Sequence, residues 1–424
     1  MSGASADVLA YRWVICALAF LVLFVSQGMN FGGMAVFDVE LMKALSAPGG
    51  GEITVGDIKA RDTLMLATAA IFGIASGWLA DKVGVKPLIL AGLAMLALGN
   101  VLYARIELLT EAYWISIGLG VMLALCGLML NVYLISSWFD RQRGLAIGIV
   151  LAGTSLGNAF FPKLNTWLIG IGGWRQAFEW LAWIPLLLLP IGYFLIRNGP
   201  MSAGRRDGAA AGPASPLSGY GLGEALRSRN FWVVATIAMC TFYSILGMTA
   251  NVFIYMSKSD YSPQVASTGV SILFIGGLVG KLTSGFLAET LGRKRILLAG
   301  LILMLGGGFC LLAAISLTST TALWAGLIFF GFGWGGIYTL IQLLAADLFG
   351  MRALGKILAA INVLDAAGGA AGPIVTGLLY DRTGSYFAPF ALITALLCVA
   401  TIAASMLDMS RASIADGRAV VAGA

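Results

Sequence analysis

Gly280-Lys281-Leu282-Thr283-Ser284-Gly285-Phe286-Leu287-Ala288-Glu289-Thr290-Leu291-Gly292-Arg293-Lys294-Arg295 is an apolar helix that carries one lysine and ends in a basic turn. Lys281 precedes Arg293 by 12 residues, roughly 18 Å along a helix, and so lies near the middle of a hydrocarbon core of about 30 Å. A charge at that depth costs several kcal/mol unless it faces water, a partner or a substrate. The stretch therefore predicts a membrane span with a functional cation inside it.

Composition agrees. The 424 residues are 59% hydrophobic and 11% charged, with a mean hydropathy of +0.92, whereas soluble domains carry about 25% charged residues. The expectation is an all-α, polytopic membrane protein. No cleavable signal peptide is expected, because the first apolar run begins near Trp13, is too long and lacks a small-residue cleavage site. The five cysteines, Cys16, Cys126, Cys240, Cys310 and Cys398, fall in apolar runs and read as small core residues. With no histidine, proton coupling must use carboxylates, a lysine or water, and a histidine-ligated metal is excluded.

Twelve runs have helical span length: 14–37, 62–80, 87–105, 113–137, 144–171, 178–196, 231–256, 265–288, 296–316, 322–347, 357–380 and 386–407. A Gly/Ala/Pro/Ser-rich linker over 197–230 divides them into bundles at 1–196 and 231–424, the second ending in a short cytoplasmic tail. With the N-terminus inside, inner segments hold 17 Lys/Arg and outer segments hold 7, among them Lys59 and Arg61. That bias predicts both termini in the cytoplasm, and it accounts for most of the net charge of +6 without nucleic-acid binding.

The halves repeat. Gly77-Trp78-Leu79-Ala80-Asp81-Lys82-Val83-Gly84 matches Gly285-Phe286-Leu287-Ala288-Glu289-Thr290-Leu291-Gly292 at an offset of 208. Gly144 precedes Pro162 by 18 residues, and Gly355 precedes Pro373 by 18. Copies running in the same direction predict two parallel-repeat six-helix bundles, with substrate bound between them near the midplane.

The repeated turn resembles the loop signature of the major facilitator superfamily, commonly G-x-L-a-D-r-x-G-r-k. Val85 stands where a basic residue is usual, and Glu289-Thr290 where Asp-Arg is usual. Within that superfamily, Ala225-Leu226-Arg227-Ser228-Arg229-Asn230-Phe231-Trp232 and Phe332-Gly333-Trp334-Gly335-Gly336-Ile337-Tyr338 look like stretches of monocarboxylate and oxalate/formate porters. Those families typically place an arginine four residues before the glycine of the loop motif, where this chain has Lys281. A guanidinium grips a carboxylate with two parallel hydrogen bonds; an ammonium is a point charge. The resemblance implies a twelve-helix transporter working by alternating access, with Tyr338 and Trp334 lining the pocket.

Residue by residue, Lys281 is the expected carboxylate anchor, an internal ion pair being the alternative. Asp365 lies ten residues from Gly355 and is a candidate proton carrier with Lys281 as a possible charge partner; the other reading is a structural polar contact. Tyr338 matches Lys281 in depth, and Trp334 precedes it by one helical turn on the same face, as pocket wall or as core. Asn131 and Asn30 are pocket groups or interhelical hydrogen-bond partners. Leu145 is expected to form apolar wall. Gln27, Tyr133 and Tyr243 are weaker candidates. Lys163 attracts anions at the outer vestibule or snorkels. Asp81, Glu289 and Arg293, at inner helix ends, are expected to gate the carrier as a latch between the bundles.

No G-x-x-x-x-G-K-[ST] loop and no hydrolase elbow is present, so an ATP-driven pump and a membrane enzyme are poor readings. The expectation is proton-coupled symport of a small monocarboxylate such as lactate or pyruvate, since one central cation leaves a dicarboxylate's second charge without a partner. Carboxylate exchange and efflux of amphiphilic drugs are the alternatives. The expected partners are the carboxylate, protons and the lipid bilayer. Neither a cofactor nor a metal is expected, the expected functional unit is a monomer, and the expected location is a bacterial inner membrane.

Overall fold

The computed structural model describes residues 3–45, 51–139, 142–197 and 219–409. It is almost wholly helical, with no strand among the described residues. In chain order the helices are α1 (Gly3–Asn30), α2 (Asp38–Ala44), α3 (Val55–Val83), α4 (Val85–Tyr103), α5 (Leu109–Cys126), α6 (Leu128–Trp138) and α7 (Arg143–Leu195). Then follow α8 (Leu222–Arg227), α9 (Arg229–Lys258), α10 (Pro263–Leu291), α11 (Arg293–Ser316), α12 (Thr320–Trp334), α13 (Ile337–Phe349), α14 (Leu354–Thr383) and α15 (Phe387–Ser405). Most of the linker expected over 197–230 lies outside the described residues.

Among the described residues, 10 helices are long and apolar enough to cross a membrane, or 11 if the bent α3 is counted as one span. The expected number is twelve. One difference lies in α7, where runs 144–171 and 178–196 join into a single element of 53 residues. Its only non-helical residue is Gly173, at φ 77° and ψ 172°, a conformation that a side chain would strain. The expected runs 113–137 and 322–347 are each broken instead, at Gly127 between α5 and α6 and at Gly335-Gly336 between α12 and α13.

The chain forms two compact units, Met1–Ala209 with Thr249–Phe274, and Ala210–Met248 with Ile275–Ala424. Within each, the repeat seen in sequence returns as geometry. Gly84 and Gly292, 208 residues apart, turn the chain with φ of 86° and 92°. The two broken helices also obey that offset, Gly127 answering Gly335. In the first unit Gly157 of α7 beds on the Phe24 carbonyl of α1; in the second Gly368 of α14, 211 residues later, beds on the Met239 carbonyl of α9. Small residues at such crossings let backbones meet, so van der Waals packing replaces the hydrophobic drive that lipid cannot supply.

Candidate functional site

Lys281 is positioned by a stripe of small residues on α10. Gly276, Gly280 and Ser284 recur every fourth residue and form one face. That face packs against the break in the α12–α13 span. A Cβ on Gly276 would meet Phe332 N at 3.0 Å, and Gly280 and Gly336 close directly on the Phe332 carbonyl and the Ser284 hydroxyl. A methyl group on Gly335 would come within 2.6 Å of the Lys281 backbone nitrogen. Lys281 is therefore held by its backbone against the broken span, with a half-buried side chain.

Trp334 and Tyr338 are placed differently from the expectation. The helix is interrupted between them at Gly335-Gly336, although both glycines keep right-handed helical backbone angles, and the two side chains meet different partners. Trp334 ends α12 and lies half-buried over Gly277, whose added Cβ would sit 2.8 Å from the indole. Tyr338 begins α13 and is 36% exposed. Its ring packs edge-on against Phe242 of α9 at 5.6 Å between centroids. Its hydroxyl shares a hydrogen bond with the Gln342 side chain and lies in the electrostatic field of Asp365. Gln342, one turn from Tyr338, is a polar group that the sequence reading passed over.

Asp365 is buried in the middle of α14, and its Oδ1 meets no hydrogen-bond donor among the described residues. Such an oxygen is costly while it remains charged and unbonded, which makes it a candidate to take a proton. Asn362, one turn earlier, is exposed, so polar groups line up along this part of α14.

The candidates in the first unit behave as structural partners. Asn131 is fully buried, and its amide donates to the Cys126 and Gly127 carbonyls at 2.8 and 2.9 Å. Both carbonyls lie at the helix break, and the Gly127 carbonyl also accepts from the Asn131 backbone N–H at 3.4 Å. Its Oδ1 has no donor among the described residues. Asn30 is buried and donates to the Ser26 carbonyl at 2.7 Å. Leu145 is 58% exposed, and Lys163 is exposed as well.

The Major Facilitator Superfamily model matches residues 16–373 and again 258–414. The chain belongs to the Major Facilitator Superfamily. It is 28% identical over 287 residues to the MFS-type transporter pytF of Aspergillus terreus, covering 66% of this chain and 90% of that one. It is 26% identical over 396 residues to monocarboxylate transporter 13 of Bos taurus, covering 91% and 87%. With the oxalate:formate antiporter of Oxalobacter formigenes it shares 25% identity over 355 residues, covering 82% and 80%.

This facilitator is a multi-pass integral membrane transporter, and the turn residues behind the resemblance have distinct surroundings. Asp81 accepts from the Tyr133 hydroxyl at 3.3 Å. Arg293 pairs with Asp347 and donates to the Leu343 carbonyl at 3.3 Å. Glu289 is exposed at the end of α10.

The facilitator also holds a charge cluster that sequence reading misplaced. Lys59 and Arg61, counted as outer-segment cations, are 0% and 1% exposed. Lys59 contacts Asp38 and reaches Asp62 at 3.2 Å; Arg61 reaches Asp38 at 2.7 Å and Asp62 at 2.9 Å. The reason is that α3 begins at Val55, not near residue 62. Thr54 and Asp57 form a reciprocal capping box, with bonds of 3.0 and 3.2 Å, that starts the helix seven residues early. Thr54-Val55-Gly56-Asp57 is the sequence signal that could have found it.

Proposed function

We propose that this facilitator carries small organic anions, and that its cargo is a monocarboxylate of the lactate or pyruvate kind moved in symport with protons. The observation that supports this reading is Lys281, a membrane-embedded ammonium held beside a glycine break by a small-residue stripe. Around it the same unit carries Tyr338 and Gln342 as polar groups and Trp334 and Phe242 as flat apolar ones. Two relatives, a monocarboxylate transporter and an oxalate:formate antiporter, are named for the same chemical class.

In this reading Lys281 holds the carboxylate, Tyr338 assists, and Asp365 takes up and releases the proton. Asn131 supports the pocket indirectly, by stabilising the break in the first unit. Asn30 is a further polar group of the pocket and Leu145 part of its apolar wall. Asp81, Glu289 and Arg293 act as the inner latch between two six-helix halves. A monomer with cytoplasmic termini in a bacterial inner membrane completes the proposal.

The test is uptake of labelled lactate and pyruvate into proteoliposomes, with and without an imposed inward proton gradient, by the native protein and by Lys281→Ala. Gradient-driven uptake that disappears in Lys281→Ala is the expected result. Uptake only into vesicles preloaded with unlabelled acid would convert the assignment to exchange. No uptake by folded protein would remove lactate and pyruvate and bring larger acids and amphiphile efflux forward.

A further inference from the structure

One edge of the first unit carries a row of cations and rings that no transport step uses. Trp78 and Lys82 lie one turn apart near the end of α3, and Lys86 stands in the first turn of α4. Tyr193 and Phe194 lie at the end of α7, beside α4, where Gly192 packs against Leu90. The Lys82 ammonium sits 3.6 Å from the centre of the Trp78 ring, and the Lys86 ammonium 4.6 Å from that of Tyr193. The rings of Tyr193 and Phe194 meet edge to face at 5.3 Å. Trp78, Tyr193 and Phe194 are 60%, 58% and 72% exposed.

A ring holds an ammonium without cancelling its charge. Neither Lys82 nor Lys86 makes a salt bridge among the described residues, so their N–H donors remain available. The neighbouring carboxylate, Asp81, accepts from Tyr133. Two lysines against one acid leave the edge positive. Exposed tryptophan and tyrosine at the end of membrane spans stand where apolar body and polar tip are both accommodated, at headgroup depth.

We propose that this edge is a binding site for an anionic glycerophospholipid, with Lys82 and Lys86 bracketing the phosphate and Trp78, Tyr193 and Phe194 packing along the glycerol and upper acyl chains. The two cations are fixed by their rings, so the site is formed before the lipid arrives. It reads a negative headgroup in preference to a zwitterionic one, because two lysines face the lipid against the single carboxylate of Asp81 among the described residues of this edge.

The experiment is native mass spectrometry of full-length protein equilibrated with equimolar phosphatidylglycerol and phosphatidylcholine. The native protein should retain phosphatidylglycerol preferentially. Each lysine near a charged headgroup is worth about fivefold, so K82Q/K86Q should lose roughly 25-fold of that preference. A control, Lys163→Gln, should keep it. Trp78→Leu/Tyr193→Leu retains both charges and should lose only a few-fold, and it keeps the test open if the lysine pair fails to fold. An unchanged preference in K82Q/K86Q would overturn the proposal. So would equal loss in the control, which would mean a diffuse field. Displacement of the lipid by stoichiometric soluble glycerol phosphate would assign the edge to free phosphoesters and overturn the lipid site.

Discussion

The Asp38–Lys59–Arg61–Asp62 cluster and the surroundings of Asp365 handle charge in opposite ways. In the first, two acids and two bases pool their charge within 3.2 Å, and three of the four residues are almost fully buried. In the second, a buried carboxylate keeps an oxygen without a donor among the described residues. In the cluster each charge has an opposite charge beside it and only the Arg61 Nη1 lacks a partner, while Asp365 has no base within ion-pair distance among the described residues. Burial alone thus does not mark a transport site; a buried charge with no opposite charge beside it is the better mark.

The largest effect expected from that contrast is on stability. Asp38→Asn leaves Lys59 and Arg61 sharing one carboxylate and should cost about 3–5 kcal/mol, read as early thermal unfolding in detergent. Asp38→Asn combined with Lys59→Met removes a pair and should recover much of the loss. If the single variant melts like the native protein, the cluster is not the fixed clasp that its geometry implies.

Next comes Lys281→Ala. Truncating one side of a charge contact costs about 2–5 kcal/mol of binding, roughly 30-fold or more in apparent affinity for a carboxylate. The melting temperature should change less than in Asp38→Asn, because the close packing of α10 on the broken span runs through Gly276, Gly280 and Ser284, which the substitution leaves in place. A variant that unfolds would move Lys281 into the structural class with Lys59.

Asn131→Leu should be smaller, about 1–3 kcal/mol of stability, since it removes the side-chain amide from two carbonyls at the break, of which the Gly127 one keeps its backbone donor. Uptake affinity should change little. A selective loss of affinity with unchanged melting would instead make Asn131 a ligand group.

The sequence displayed the repeat and the central lysine because both are local patterns. The glycine-acid-glycine turn recurs at a fixed offset and reappears as matching backbone angles at Gly84 and Gly292. The charge cluster was illegible for a physical reason. Its members are polar, so hydropathy assigned them to a loop, and only the Thr54–Asp57 box extends the helix to include Lys59 and Arg61. The interruption between Trp334 and Tyr338 was not foreseen, because a 3.6-residue period was carried through two glycines where the regular hydrogen-bond ladder is interrupted. Partners distant in sequence, such as Phe242 for Tyr338, leave no periodic trace at all.

The smallest stability effect belongs to Asp365→Asn, and it is the sharpest comparison because it repeats the chemistry of Asp38→Asn. Both replace a buried carboxylate by an amide of nearly the same shape. At position 38 the change removes the charge that two bases require. At position 365 it removes a charge whose Oδ1 meets no donor, so melting should hold or rise. The cost should appear in transport instead: an amide cannot carry the proton, so gradient-driven uptake should fall while exchange between preloaded acid and external label persists. Retention of full gradient drive would take Asp365 out of the coupling step, and a loss of stability matching Asp38→Asn would make it a structural contact. Either result would show that an oxygen without a donor is a weaker mark of function than the contrast between the two regions implies.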